Sequence, residues 1–194
     1  IVICAYDWKH KIIPDALAVN NDIVKGEAVR LQGVPASRIA VVGVPHYDRY
    51  PQPAHAREEF CRMVGLDPRK RFIVFAPTGD RYLAENRVDQ TAIELAAEAL
   101  PQNFQLLVRL PPSDSVTLAG LNITPNIVVH RPGQQLSGNQ AVFKNNELSP
   151  EDDEILRDTL AYGDLVISGP STIVIDAAIF DKPVILIVFD GQQS

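Results

Sequence analysis

Cysteine, methionine and tryptophan are scarce in this chain, at two, one and one among 194 residues. Two cysteines cannot staple a small disulfide-rich domain, and Cys4, in an apolar run, and Cys61, in a helical one, have no metal-site spacing. Both read as buried free thiols of a cytoplasmic protein. Positive charge is also in deficit. Lys and Arg number 18 against 24 Asp and Glu, a net charge of -6 and a pI near 5.2. That balance argues against a non-specific nucleic-acid binder, although a nucleotide pocket needs only a local patch of positive potential. No apolar run has the length of a membrane span, since Val184 to Phe189 is far too short, and no secretory-leader pattern is present in these residues. Also missing are a repeat of fixed period, a Ser-His-Asp spacing and a glycine-rich loop ending in Lys of the P-loop kind.

What is present is an ordinary globular composition, 46% hydrophobic and 22% charged, in which strand-length apolar runs alternate with helical ones. The alternation predicts an α/β chain with Rossmann-like, doubly wound parallel sheets. Ile1 to Tyr6 reads as a strand, followed by a polar loop with Trp8 and His10, and by a strand at Asp15 to Val19. Asn20 to Asp22 caps a helix over 23–32 that Gly33 stops, and Ile39 to Val42 is the next strand. Gly43-Val44-Pro45 is a turn with His46 beside it, and Tyr50 to Ala54 is a stiff proline-bearing connector. Residues 1–45 are assigned to the last units of one Rossmann-like domain and 46–194 to a second.

In the second domain a helix over 54–64 should turn Phe60, Met63 and Val64 inward. Arg69-Lys70-Arg71 is a solvated basic turn before the strand Phe72 to Ala76, which closes at Pro77-Thr78-Gly79. A helix over 88–100 should bury Ile93, Leu95, Ala96 and Ala99. The strand Phe104 to Leu110 carries Arg109, and an arginine inside an apolar strand is costly unless it faces an anion or an acid. Ile127 to His130 is a strand with two cationic or polar heads, His130 and Arg131, at its exit. Gln134 to Leu148 reads as a long mobile insertion, and Ser149-Pro150, followed by the solvated acids 151–154, starts a helix that Gly163 ends.

The stretch from Asp164 to Asp190 organises the rest. Leu165 to Ser168 is a strand, Gly169-Pro170 breaks it, Ser171-Thr172 opens a helix that Asp181-Lys182-Pro183 stops, and Val184 to Val188 is a second strand. The helix should bury Ile173, Val174, Ala177, Ala178 and Phe180, and both strands read as covered on two faces. Hydroxyls and free amides at the helix start attract phosphate, although a Ser or Thr there can also merely cap its own helix. Asp176, one turn on, is within reach of a ribose or is a solvated acid favourable to the dipole.

Asp164-Leu-Val-Ile-Ser168, Ser171-Thr172, Asp176-Ala177-Ala178 and Lys182-Pro183-Val184-Ile185 resemble the late donor-binding unit of GT-B glycosyltransferases. Within that superfamily, the Asp at 176 and the closing Phe189-Asp190 look most like the CDP-glycerol glycerophosphotransferases and related surface-polysaccharide transferases. Nucleotide-sugar 2-epimerases share the architecture. The resemblance implies that Ser171 and Thr172 grip a diphosphate, that Asp176 contacts the ribose, and that Thr78 and Gly79 form the first donor-domain turn. It also implies that residues 33–48 carry the crossing between two domains, with Gly43 lining a cleft. In glycerophosphotransferase relatives this strand commonly ends in an arginine followed by a His-Pro pair. Arg109-Leu110-Pro111-Pro112 lacks that histidine.

Thr78, Gly79, Arg109, His130, Gly169, Ser171, Thr172 and Asp176 all fall at or near the carboxyl ends of expected strands, where open α/β sheets bind ligands. The expected function is the donor-binding part of a transferase moving a sugar or glycerophosphate from a CDP-, UDP- or GDP-linked carrier to a glycan or polymer acceptor. The alternatives are an epimerase-like enzyme and a non-catalytic association module. No metal or other cofactor is expected, and no residue is assigned as catalytic. The chain opens without Met in an apolar run and stops just after another, so it is expected to be part of a longer protein, inactive alone. Any peripheral membrane association should reside in the missing amino-terminal portion.

Overall fold

A computed structural model describes residues 14–50, 52–80, 87–112, 116–135 and 146–188. The expected strand over Ile1 to Tyr6, the loop with Trp8 and His10, Cys4 and Phe189-Asp190 lie outside them. Contacts divide the chain into two units, 1–49 and 50–194.

In the first unit β1 (Leu17–Val19) pairs in parallel with β2 (Ile39–Val41), and α1 (Asp22–Gln32) connects them. Asn21 caps α1 by accepting from Val24 N at 2.9 Å, and Gly33 ends it at φ +63, a left-handed conformation that glycine adopts at no steric cost. Val19, Ala28, Val34 and Ile39 form its small core. Beyond β2, Gly43 is left-handed at φ +71, and Pro45–Arg49 is a 3-10 turn in which the His46 and Tyr47 rings lie 5.4 Å apart.

The second unit carries a five-stranded sheet in the order β5-β4-β3-β8-β9, every neighbouring pair parallel. These strands are β3 (Arg71–Ala76), β4 (Phe104–Arg109), β5 (Ile127–His130), β8 (Val166–Ser168) and β9 (Val184–Leu186). The helices are α2 (Arg57–Val64), α3 (Arg87–Glu98), α4 (Pro150–Tyr162) and α5 (Ile173–Ile179). Chain order runs outward one way through β3, β4 and β5, then returns to the other side of β3 for β8 and β9. The reversal lies between β3 and β8, the position where open sheets of this kind leave a crevice.

Alternate side chains of β3 and β4 explain the layers. Phe72, Val74 and Leu107 face Phe60, Cys61, Val64, Ile155, Leu160, Ile173 and Ala177 of α2, α4 and α5, whereas Phe75, Leu106 and Val108 face Ile93 of α3 and the 116–121 segment. Both central strands are therefore apolar on two faces, and each fully buried Phe or Leu contributes roughly 1.5–3 kcal/mol.

Several expectations are corrected. Met63, Leu95 and Ala178 face outward, and Cys61 takes the inward place on α2. Ala99 lies beyond α3 and is exposed. The run after Pro183 forms the edge strand, so Ile185 and Leu186 are about half exposed instead of covered on both faces. The basic turn is solvated as expected, with Arg69 and Arg71 exposed, and its side chains also have partners: Arg69 pairs with Asp67, Lys70 Nζ donates to Asn126 at 2.7 Å, and Arg71 pairs with Asp164 while lying over the Phe104 ring. The two ends of the 134–148 insertion pair antiparallel as β6 (Gln134–Gln135) and β7 (Asn146–Glu147); residues 136–145 lie outside those described.

Asp158 of α4 anchors the segment that leads into α2. Its fully buried carboxylate accepts from Ala54 N at 2.6 Å, His55 N at 3.2 Å and His55 Nδ1 at 2.7 Å. Arg157 adds a bond to Gln52 O at 2.8 Å, and the Tyr162 hydroxyl donates to His55 O. The hydrogen bond to Asp158 raises the His55 pKa above its ordinary 6.5, outweighing the opposing effect of burial. A raised folded-state pKa stabilises fully below the unfolded value and loses that contribution as pH climbs through the folded one. The urea midpoint should therefore fall as pH rises from about 6.5 upward, as unfolding curves taken at half-unit steps would show. His55→Asn, which cannot titrate, should flatten that slope; an unchanged slope would show that the imidazole does not carry it.

Candidate functional site

The parallel register lines up the carboxyl ends of the strands. Arg109 pairs with His130, Phe75 with Val108, Ala76 with Ser168 and Ser168 with Leu186, so His130, Arg109, Ala76 and Ser168 stand in one row across the sheet. At about 4.8 Å per strand, Arg109 and Ser168 are roughly 10 Å apart along that row. Helices that follow a parallel strand return antiparallel to it, so α3, α4 and α5 all begin at this edge and aim their positive dipole ends there.

Arg109 is only 8% exposed. Its Nη1 lies 3.5 Å from His130 Nδ1 and its Nη2 3.5 Å from the carbonyl oxygen of Asp152, both long for hydrogen bonds. Among the described residues no carboxylate comes within 4.0 Å of the guanidinium. Burial lowers its pKa to about 10, against the opposing fields of Asp152, Tyr50, Asp153 and Asp176, so it stays charged at neutral pH. His130 is pushed down to about 4, by burial first and by the Arg109 charge second. Of the two cationic or polar heads expected here, His130 is a polar one, a neutral imidazole with its Nδ1 turned to Arg109. Arg131 is exposed.

The start of α4 closes on itself. Ser149 Oγ accepts from Asp152 N at 3.2 Å while Asp152 Oδ2 accepts from Ser149 N at 2.8 Å, a full capping box, and Asp152 Oδ1 accepts from Gly133 N at 2.9 Å. Burial works against the Asp152 carboxylate, but these bonds and the Arg109 charge hold its pKa below the usual range. The acid at 152 is therefore structural instead of solvated.

The start of α5 differs. Thr172 occupies the N-cap position at φ -62 and ψ -25 and makes no side-chain capping bond, and both Ser171 and Thr172 are exposed. The helix is seven residues long, with Asp176 half-buried in its first turn. Behind it, Gly169 is buried against Thr78: a Cβ on Gly169 would stand 2.1 Å from Thr78 Oγ1. That contact joins the loops after β3 and β8 at the crevice position. Thr78 N and Gly79 N, each 3.2 Å from an oxygen of Asp89 in α3, are already engaged. Asp89 was not singled out by the sequence; an acid at the third position of a helix is a usable signal, but its partners, Thr78 and Gly79, are ten or more residues away.

The edge thus gathers Arg109, His130, Thr78, Gly169, Ser171, Thr172 and Asp176 around one end of a doubly wound sheet, and fold and site together define a GT-B-like region. Among the solved structures that share the fold are the following three. A variant of the wall teichoic acid polymerase TagF soaked with CDPG matches at a TM-score of 0.54 and 18% identity over 91% of this chain and 38% of that one. The UDP-GlcNAc 2-epimerase of Methanocaldococcus jannaschii matches at 0.58 and 14%, over 89% and 46%. That of Neisseria meningitidis, bound to UDP-GlcNAc, matches at 0.52 and 12%, over 85% and 42%. The chain therefore spans about two fifths of the length of these proteins. Comparison with curated proteins gave no significant sequence match. The family assignment is direct: residues 6–193 match the CDP-glycerol:poly(glycerophosphate) glycerophosphotransferase family, and the chain belongs to it.

The Gly169 contact is testable on its own. Gly169→Ala should lower the unfolding free energy by about 1–2 kcal/mol, the usual cost of overpacking a tight contact. In a Thr78→Ala background the same change should cost close to nothing. Equal losses in both backgrounds, measured by urea unfolding, would mean that Thr78 is not what the added methyl meets.

Proposed function

We propose that this chain is the donor-binding part of a transferase that moves glycerophosphate, or a sugar, from a nucleotide-diphosphate carrier to a cell-surface polymer or glycan. CDP-glycerol is the carrier favoured, since the family description names it and a TagF structure was soaked with CDPG. The observation that carries the reading is Arg109: a buried, charged guanidinium at the carboxyl edge of a parallel sheet with no carboxylate in ion-pair range among the described residues. A cation so placed is suited to an anionic ligand.

In this reading the diphosphate lies between Arg109 and the Ser171-Thr172 loop, and the hydroxyls and first amides of α5 face its oxygens. Gly169 keeps the loop close to Thr78, and Asp176 reaches the ribose. His130 offers a neutral imidazole to the nucleotide. The fixed charge of Arg109 and the dipole ends stabilise the negative charge that grows on the departing nucleotide phosphate, and they need no rearrangement to do so. The mechanism asks for no metal. The epimerase alternative rests on likeness of fold alone, whereas the family match covers residues 6–193.

Calorimetry with CDP, UDP and GDP tests this. Wild type should bind CDP at or below millimolar concentration. Arg109→Lys keeps the charge but loses the guanidinium fork, and should weaken CDP by about 10- to 100-fold. Ser171→Ala and Thr172→Ala should each weaken it by about 3- to 10-fold. Absence of nucleotide binding by folded wild type, or full affinity in Arg109→Lys, would overturn the reading.

A further inference from the structure

Asp89 is a buried acid, 4% exposed, for which the proposed transfer has no use. It is the third residue of α3, and its two oxygens accept separately from two consecutive backbone amides, Thr78 N and Gly79 N, at 3.2 Å each. Gly79 is left-handed at φ +97. Consecutive amides turned towards one anion make a nest, and a nest at the end of a parallel strand beside a helix start is built to hold a phosphate oxygen. Here the anion is supplied by the chain itself.

We propose that Asp89 is a permanent occupant of the nest after β3: a positioning residue that shuts this turn to phosphate, fixes Thr78 against Gly169, and leaves a donor's diphosphate to the Arg109 side of the edge. The neighbouring groups agree. Asp80, on the same turn, holds Thr117 through bonds to its N at 3.1 Å and its Oγ1 at 2.9 Å. The residue after Asp89, Gln90, donates from Nε2 to Thr117 O at 2.6 Å and Ala119 O at 3.1 Å. The α3 side of the edge thus carries two carboxylates whose oxygens are committed to internal donors, while the α4 side carries the buried cation. A phosphate entering the nest would have to displace one acid and approach another. Burial, against the two amide bonds, raises the Asp89 pKa, the direction expected of a carboxylate enclosed by protein.

The placement of the diphosphate rests on the function proposed above, but occupancy of the nest does not, and the experiment separates them. Inorganic pyrophosphate is titrated calorimetrically into wild type, Asp89→Ser and Asp89→Asn. Asp89→Ser frees both amides and should bind pyrophosphate about tenfold more tightly than wild type, as two new hydrogen bonds to an anion would give. The gain should persist when Arg109→Lys is added, because the opened nest is a separate place. Asp89→Asn keeps the side-chain volume but not the charge, should gain affinity in the same direction, and carries the test if the Ser variant fails to fold. Asp89→Glu should restore wild-type behaviour. Wild-type crystals soaked in pyrophosphate should show no phosphate on Thr78 N and Gly79 N. Unchanged affinity in the folded variants, or an anion on those amides with Asp89 swung aside in wild type, would overturn the proposal. Failure of wild type to bind CDP would remove the function proposed above and leave the pyrophosphate comparison intact.

Discussion

A guanidinium withdrawn from water at the end of β4 sets the electrostatics of the whole edge. Enclosing one ion in protein costs several kcal/mol after relaxation, so the surroundings of Arg109 must return part of that. They do so weakly and from a distance: one carbonyl and one imidazole nitrogen at 3.5 Å, and the fields of Asp152, Asp153 and Asp176. The adjacent residues follow from this charge. His130, opposite Arg109 in the ladder, is held neutral because a second cation there would be repelled and desolvated together. Asp152 is held ionised by the same charge and by its own hydrogen bonds, and it fixes the start of α4 where its carbonyl meets Arg109.

The three helices that begin at this edge then divide the work. Each brings a positive dipole end, but α4 satisfies its first turn with the Ser149–Asp152 box, and the acid in the first turn of α3 reaches back to the turn after β3. Only the loop into α5, among these described starts, combines exposed hydroxyls with an N-cap that makes no side-chain bond. The contact of Gly169 with Thr78 places that loop where the strand order reverses. Topology alone would make the edge a binding place; the distribution of caps decides which part of it is open.

Much of this is legible in the residues. Asn21, Gly33, Ser149 and Gly163 mark helix ends because capping is a local matter, settled within a few positions. The apolar alternation places β3, β4, β5 and β8 within a residue or so. What fails is whatever a distant partner decides. Met63 and Cys61 are two residues apart on one helix, and only the position of the sheet shows which of them turns inward. Val184 to Val188 has the composition of a central strand but sits at the edge, since nothing in the run itself says what lies beyond it. The arginine at 109 declares itself by chemistry, yet its neighbour from β5 appears only through the register, and Asp89 is invisible until the turn ten residues earlier folds onto it.

The departure from the family pattern gains its meaning from that register. The resemblance to glycerophosphotransferases implies a strand-end arginine commonly followed by His-Pro, and here the chain reads Arg109-Leu110-Pro111-Pro112. An imidazole nevertheless stands at the same edge, carried by the neighbouring strand and 3.5 Å from the guanidinium. Its surroundings give it a different chemistry. Burial first, and the Arg109 charge second, push its pKa down to about 4, so it is a neutral imidazole at neutral pH with Nδ1 facing the guanidinium. Under the proposed transfer, the departing charge would fall to Arg109 and the open loop of α5, so stabilisation here is electrostatic and fixed in place before any ligand arrives.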